Sequence, residues 1–190
     1  MTIQPTALPE VFIIQPDLHR DERGWLMESF RLDLLEKAVG HPLRFCQENT
    51  AKSSFGVIRG LHYQMSPFAQ SKLVSVLAGN VLDVVVDIRK GSPNFGKHLS
   101  VLLSSENQKQ LFIPRGFAHG YACLSEASIF SYKVDNYYHK AAEASIAFDD
   151  PQLNIDWQIP ADKIMLSQKD KERPAFNEAR HFDFNQSLYD

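Results

Sequence analysis

The sequence predicts an all-β fold, a sandwich or barrel, on three observations. Short strand-forming runs recur from Val11 to Val134. Gly, Pro and Asn turn residues separate these runs at close intervals, as in sandwiches and barrels and unlike alternating βαβ units. Helical spacing is clear in one early segment, and the tail after Asp150 is polar enough for one or two short helices at most.

Val11 to Ile14 is a first strand, ended by Pro16. Asp21-Glu22-Arg23-Gly24 reads as a turn, and Trp25 to Phe30 as the strand after it. Leu32, Leu35 and Val39 recur at helical spacing, and Gly40 is placed to end that helix. Strands are then expected at Leu43–Thr50, Val57–Gln64, Lys72–Leu77 and Val81–Arg89. After a loop at Ser92-Pro93-Asn94 they resume at Leu99–Leu103, Leu111–Ile113, Gly120–Leu124 and Ile129–Val134. No internal repeat or low-complexity segment interrupts the pattern.

A chain of 190 residues fits one domain spanning residues 1–190. Its 44% hydrophobic and 23% charged residues are ordinary for a globular protein, and a net charge of −3 gives no reason to expect nucleic acid or an anionic membrane as partner. No apolar run approaches the roughly 20 residues that span a bilayer. The first ten residues lack the charged start and apolar core of a signal peptide. Cys46 and Cys123 lie far apart among apolar neighbours, so packed thiols in a cytoplasmic protein are expected.

The chemistry concentrates in strand-like segments. Gly56 to Gln64 sets Arg59, His62 and Gln64 among Val57, Ile58 and Leu61, with Gly60 in the middle. Side chains alternate between the two faces of a strand, so a regular strand puts His62 and Gln64 on the face of Ile58. Gly60 makes that register uncertain, because a strand glycine marks a bulge or a close backbone approach. Elsewhere Gln47-Glu48-Asn49, Lys72, Asp83, Asp87, His119, Tyr132 and Lys133 interrupt apolar runs. Buried charges need partners, water or a ligand. Taken singly, His62 reads as a core histidine, Lys72 as a surface lysine and Asp87 as an ion-pair partner of Arg89.

Pro114-x-Gly116-x-x-His119 is the pattern of the second cupin motif, found in double-stranded β-helix jelly rolls. Many cupins hold a metal through His-x-His and a glutamate of the first motif. Here His62 is followed by Tyr63 and Gln64, and Pro67, Phe68 and Ala69 occupy the region where the glutamate would fall. Carboxamides are poor ligands for divalent transition metals. The expectation is a cupin-type jelly roll with short peripheral helices, no metal and no cofactor, suited to acid–base chemistry or to binding.

Gln47-Glu48-Asn49, Gly56–Gln64, Ala69–Val74, Asp83–Arg89, Leu111–Gly120 and Asn136-Tyr137-Tyr138 follow one another as in the dTDP-4-dehydrorhamnose 3,5-epimerase family, which the chain resembles from about Pro9 to Pro174. Arg23-Gly24, Glu28-Ser29-Phe30 and Leu166–Asp170 extend the match. The resemblance implies a homodimer with strand exchange, and conversion of dTDP-4-dehydro-6-deoxy-D-glucose to dTDP-4-dehydro-L-rhamnose in dTDP-L-rhamnose biosynthesis. It implies His62 as general base, Asp170 as the carboxylate that holds it, Lys72 beside the enolate oxygen and Tyr132 as the acid. Arg23, Glu28, Gln47, Asn49, Arg59, Lys72, His119, Tyr138, Glu143 and Lys169 match substrate-binding positions, with Tyr138 placed to stack near the thymine. Some of these contacts would come from the partner subunit.

Departures from the family pattern are few. His19 stands where many members have phenylalanine, and Phe148 and His98 where tryptophan is common. Three other readings remain open from the sequence: an epimerase acting at C3 alone or on a related deoxy-keto sugar, a metal-dependent cupin such as a dioxygenase, and a silent sugar-binding jelly roll. The missing metal ligands oppose the second. The joint presence of His62, Lys72, Tyr132 and Asp170 opposes the third.

Overall fold

The structure, a computed structural model, describes residues 1–189. Its strands form two antiparallel sheets. The larger contains β1 (Thr2–Pro5), β2 (Phe12–Gln15), β5 (Gln47–Ser54), β7 (Lys72–Ala78), β11 (Gln110–Ile113) and β13 (Ala127–Val134), in the order β1-β2-β11-β7-β13-β5. The smaller contains β6 (Ile58–Gln64), β8 (Asn80–Asp87), β10 (His98–Ser104), β12 (Phe117–Cys123) and β14 (Glu143–Ser145), in the order β10-β8-β12-β6-β14. Two small pieces lie outside them: a hairpin of β3 (Leu18–Asp21) and β4 (Gly24–Met27), and a parallel pair of β9 (Arg89–Lys90) with β15 (Phe182–Asp183). The all-β jelly roll predicted from the sequence is the observed architecture.

Alternation explains the layers. On β8, Val81 and Val85 point between the sheets, where they meet Val74 and Val76 of β7 and Phe130 of β13. Leu82, Val84 and Val86 point the other way, onto residues of the tail: Ile146, Leu153, Trp157, Phe176 and Phe182. A strand buried on both faces reads as a nearly continuous apolar run, as β8 does. The outer face of the larger sheet, through Leu73 and Phe112, is covered by Leu35 of helix α1 (Leu32–Val39) and by Leu43. Gly40 ends α1 in the left-handed conformation, φ 81°, with its N–H returned to the Glu36 carbonyl, as its position predicted.

Three expectations are corrected. Residues 43–46 are not strand, because the Leu43 N–H is taken by the Glu36 side chain at 2.9 Å and Leu43 packs under α1; pairing begins at Gln47 and runs on to Ser54. The strand expected at Trp25–Phe30 is the short β4, which stops at Met27. The strand placed at Gly120–Leu124 begins at Phe117, so His119 lies inside it. The polar tail holds the short helices expected of it, a four-residue helix α2 (Gln168–Lys171) and a single turn at Ala161–Lys163, together with β15, and it also supplies buried core residues.

Candidate active site

Gly60 decides which side chains of β6 face inward. Tyr121 pairs with Arg59 and His119 with His62, so the register shifts across Gly60. At φ 136° Gly60 adopts a conformation that L side chains rarely take, and an added Cβ would lie 2.4 Å from the Cα of Gly120. The two backbones touch here. Arg59 and His62, three residues apart, therefore both line a cavity of about 250 Å³ between the sheets. Ile58 and Leu61 both turn to the tail side. The regular-strand expectation, with Ile58 on the face of His62, fails for this reason.

His62 Nε2 donates to Asp170 Oδ1 at 2.6 Å, across 108 residues of sequence. Asp170 reaches it from α2, whose start is capped by Ser167: the Asp170 N–H bonds Ser167 Oγ at 3.2 Å, and the Ser167 hydroxyl donates to Asp170 Oδ2 at 2.7 Å. Burial would raise the Asp170 carboxyl, but the hydrogen bonds from His62 and Ser167 outweigh it and hold the group at about 2. It is a firm anion. With Nε2 so engaged, Nδ1 is the nitrogen of His62 left with its lone pair.

Lys72, at the start of β7, is buried. Its Nζ donates to the His62 carbonyl at 3.2 Å and to His119 Nδ1 at 3.4 Å. Burial lowers its pKa to about 8, with Asp83 opposing the fall. Behind it, His119 Nε2 donates to Asp83 Oδ2 at 2.9 Å, while Asp83 Oδ1 has no protein partner among the described residues. Burial also lowers the His119 pKa. Both ring nitrogens of His119 are thus engaged by protein groups.

Tyr132 lines the same cavity from β13, on the sheet opposite His62, and burial raises its phenol. At the rim, Tyr138 donates to Glu143 Oε2 at 2.8 Å, Lys169 pairs with Glu143 Oε1, and the Tyr138 N–H donates to Gln47 Oε1 at 3.1 Å. Gln47 in turn donates to Asn49 Oδ1 at 3.0 Å. The structure therefore gathers Arg59, His62, Lys72, His119, Tyr132, Tyr138, Glu143 and Asp170 around one cavity, with Gln47, Asn49 and Lys169 connected to its edge.

Arg23 and Glu28 are not brought there. Arg23 is on the exposed β3–β4 hairpin, paired with Asp21, and shares a separate surface groove with His19. Glu28 lies 3.6 Å from Arg31. Phe148 packs against the tail cluster, and its carbonyl accepts from Trp157 Nε1 at 2.7 Å. Cys46 and Cys123 are free thiols. Gln64, on the strand of His62, holds backbone: it donates to the carbonyls of Phe68 and Tyr137 and accepts from the His139 N–H. Tyr121 also lines the cavity: the two-residue period from His119 along β12 puts it on the same face, a signal that was available in the sequence.

Among the described residues no group of three or more His, Cys, Asp or Glu side chains is arranged to hold a metal ion, and no helix is long and apolar enough to cross a membrane. What the cavity offers is a polarised imidazole, a buried ammonium and a phenol on the far wall, the set required to move a proton off carbon and return it from the other side.

Comparison with known proteins agrees with this chemistry. A family model described as dTDP-4-dehydrorhamnose 3,5-epimerase matches residues 5–178. The chain is similar to the dTDP-4-dehydrorhamnose 3,5-epimerase of Shigella flexneri, 48% identical over 182 residues that cover 96% of this chain and 99% of that one. The enzyme of the same name from Pseudomonas aeruginosa is 44% identical over 176 residues, 93% of this chain and 96% of that one. The crystal structure of dTDP-6-deoxy-D-glucose-3,5-epimerase from Legionella pneumophila, in complex with dTDP-4-keto-L-rhamnose, superposes with a TM-score of 0.92 at 46% identity, covering 97% of this chain and 99% of that one. With the match running along nearly the whole sequence and the fold the same, this chain belongs to the dTDP-4-dehydrorhamnose 3,5-epimerase family.

Proposed function

We propose that the chain epimerises dTDP-4-dehydro-6-deoxy-D-glucose at C3 and C5, giving dTDP-4-dehydro-L-rhamnose through an enolate in dTDP-L-rhamnose biosynthesis. The observation that carries the reading is the 2.6 Å His62–Asp170 pair facing, across one cavity, a phenol from the opposite sheet. A C4 ketone acidifies the hydrogens on C3 and C5. His62 Nδ1 takes such a proton, and the imidazolium that forms is stabilised by the Asp170 anion. The electron pair of the broken C–H bond moves onto O4, where the Lys72 ammonium stabilises the oxyanion. Tyr132 then gives its proton to the carbon from the other face and is reprotonated from solvent, while His62 returns its proton to solvent. Repetition at the second carbon completes the conversion.

Arg59 at the cavity suits the diphosphate, since a guanidinium bonds phosphate oxygens in a fork. Tyr138, exposed at the rim, is placed for the thymine, with Gln47, Asn49, Glu143 and Lys169 around it. We infer that the active form is a homodimer in which the β3–β4 hairpin of one subunit brings Arg23 and Glu28 to the site of the other. The hairpin supports this reading: it pairs with no other strand among the described residues and exposes Trp25 and Leu26. The reaction and the two free thiols fit the cytoplasm.

The deciding experiment is proton NMR of the protein with dTDP-4-dehydro-6-deoxyglucose in deuterated buffer. Deuterium is expected at both C3 and C5, and exchange confined to C3 would reassign the chain as a single-site epimerase. His62→Ala should abolish the exchange with the fold intact; normal exchange in that variant would remove His62 from the mechanism.

A further inference from the structure

Tyr121 takes no part in the chemistry described so far. It is 4% exposed, it stacks on Phe130 with ring centroids 4.2 Å apart, and it lines the same cavity as His62 and Tyr132. Its phenol oxygen lies 3.0 Å from Ser53 Oγ, which accepts a hydrogen bond from Arg59 Nε at 3.1 Å. Ser53 is buried and is not part of the cavity wall.

Counting protons in this chain of groups gives a direction. Two hydroxyls, Ser53 and Tyr121, carry one proton each, and the single link between them uses one. The other has no acceptor in the protein among the described residues. Were Tyr121 the donor to Ser53, the spare proton would be stranded on a buried serine away from the cavity, and a buried unpaired donor is unfavourable. With Ser53 donating instead, Arg59 donates to Ser53, Ser53 to Tyr121, and the spare O–H belongs to the residue that faces the cavity. A cation at the head of the chain polarises each bond in the same sense. Burial raises the pKa of the Tyr121 phenol, which keeps this proton in place near neutral pH.

We propose that Tyr121 donates a hydrogen bond to an oxygen of the bound 4-dehydro sugar, its orientation fixed by the Arg59–Ser53 chain, and that it is a specificity-determining contact for that ring. The inference rests on the epimerase reading of this cavity. It distinguishes two phenols that look alike in sequence: Tyr132 delivers a proton to carbon, and Tyr121 holds an oxygen without giving its proton up. A site built with a donor at this point favours a sugar with an acceptor there over one lacking it.

The test is Tyr121→Phe, which removes one oxygen and keeps the ring stacked on Phe130. The readouts are kcat/KM for deuterium exchange at C3 and C5 and, by calorimetry, the affinity for dTDP, which has the nucleotide and lacks the sugar. Loss of one neutral hydrogen bond predicts a fall of roughly three- to tenfold in kcat/KM. The dTDP affinity should stay within about twofold of wild type, because no nucleotide contact has been removed. Equal weakening of dTDP and substrate would overturn the proposal, since Tyr121 would then serve only to brace Arg59. Unchanged kcat/KM would also overturn it. Ser53→Ala, which frees Tyr121 to turn, should reproduce part of the loss, and a full wild-type rate in that variant would remove the directional chain. Failure of the epimerase reading is recognised separately, by the absence of exchange in the unaltered protein.

Discussion

Lys72 shows how burial prepares a side chain for one task. Removal from water lowers its pKa to about 8, so the ammonium is intact at neutral pH and begins to lose its proton just above it. An enolate oxygen needs the charged form, so kcat should fall as pH rises through about 8. Lys72→Met should lower kcat on the order of a hundred- to a thousandfold and abolish that alkaline limb in the residual activity. A limb that survives in the variant would belong to another group. The sign for stability is the reverse of the usual ion-pair case: a lysine depressed from 10.5 to about 8 weakens the fold while charged, and the penalty fades as pH rises from about 8 to the unfolded value. The residue types at the site were visible in the sequence, because Lys72 opens an apolar strand, His119 follows a tight turn beside one, and Tyr132 interrupts one. Their partners were less visible. Asp170 stands 108 residues from His62 and shows no strand pattern of its own, so only the family resemblance pointed to it. His119 matched a substrate contact, yet Asp83 and Lys72 occupy both its ring nitrogens.

At the scale of single elements, the contact between β6 and β12 at Gly60 and Gly120 sets the site. Gly60→Ala forces a Cβ to within 2.4 Å of the Gly120 Cα, backbone that has no easy direction in which to yield. The expected loss is about 2–3 kcal/mol or more, seen as a fall in Tm of roughly 5–10 °C for a chain of this size, with exchange activity lost as the register relaxes. Gly40→Ala is the control. It also has positive φ, at 81°, but an added Cβ meets nothing within 4 Å, so a smaller loss of about 1 kcal/mol is expected and activity should be kept. Equal effects would mean that the close approach adds nothing to the conformational penalty. Helix α1 and most strands were legible because their apolar periods are clean. The β6 register was not, since Gly60 carries no side chain to reveal which way its neighbours turn. The short β1, β3, β14 and β15 were missed because each holds a single apolar residue beside polar ones or proline, whereas the equally short β2 and β11 are apolar runs.

At the scale of the whole molecule, the proposed site of one chain lacks Arg23, which the hairpin holds in a separate groove, and Glu28, which does not line the cavity. If subunits exchange these groups, Arg23→Ala and His62→Ala proteins, each impaired alone, should complement when mixed and allowed to exchange. A random mixture has one intact site in half its dimers, so activity should recover to about a quarter of wild type. Activity no greater than that of the two variants would place Arg23 within a single subunit. The sequence showed the jelly roll and the cavity segments, and it understated the tail, whose polar composition hides Leu153, Trp157, Phe176 and Phe182 beneath it. That tail has a consequence for the birth of the protein. A ribosome makes the chain from its N-terminus, and the cover over the outer face of β6, β8 and β12 is incomplete until Phe176 and Phe182 have been made. A nascent chain stopped at residue 165 has Leu153 and Trp157 but lacks Phe176 and Phe182, so it should leave part of this apolar face exposed, bind chaperones and be cleaved by protease faster than the full chain. The segment that closes this face also carries Asp170. Any copy folded well enough to stay in solution has then already received the carboxylate that its base requires.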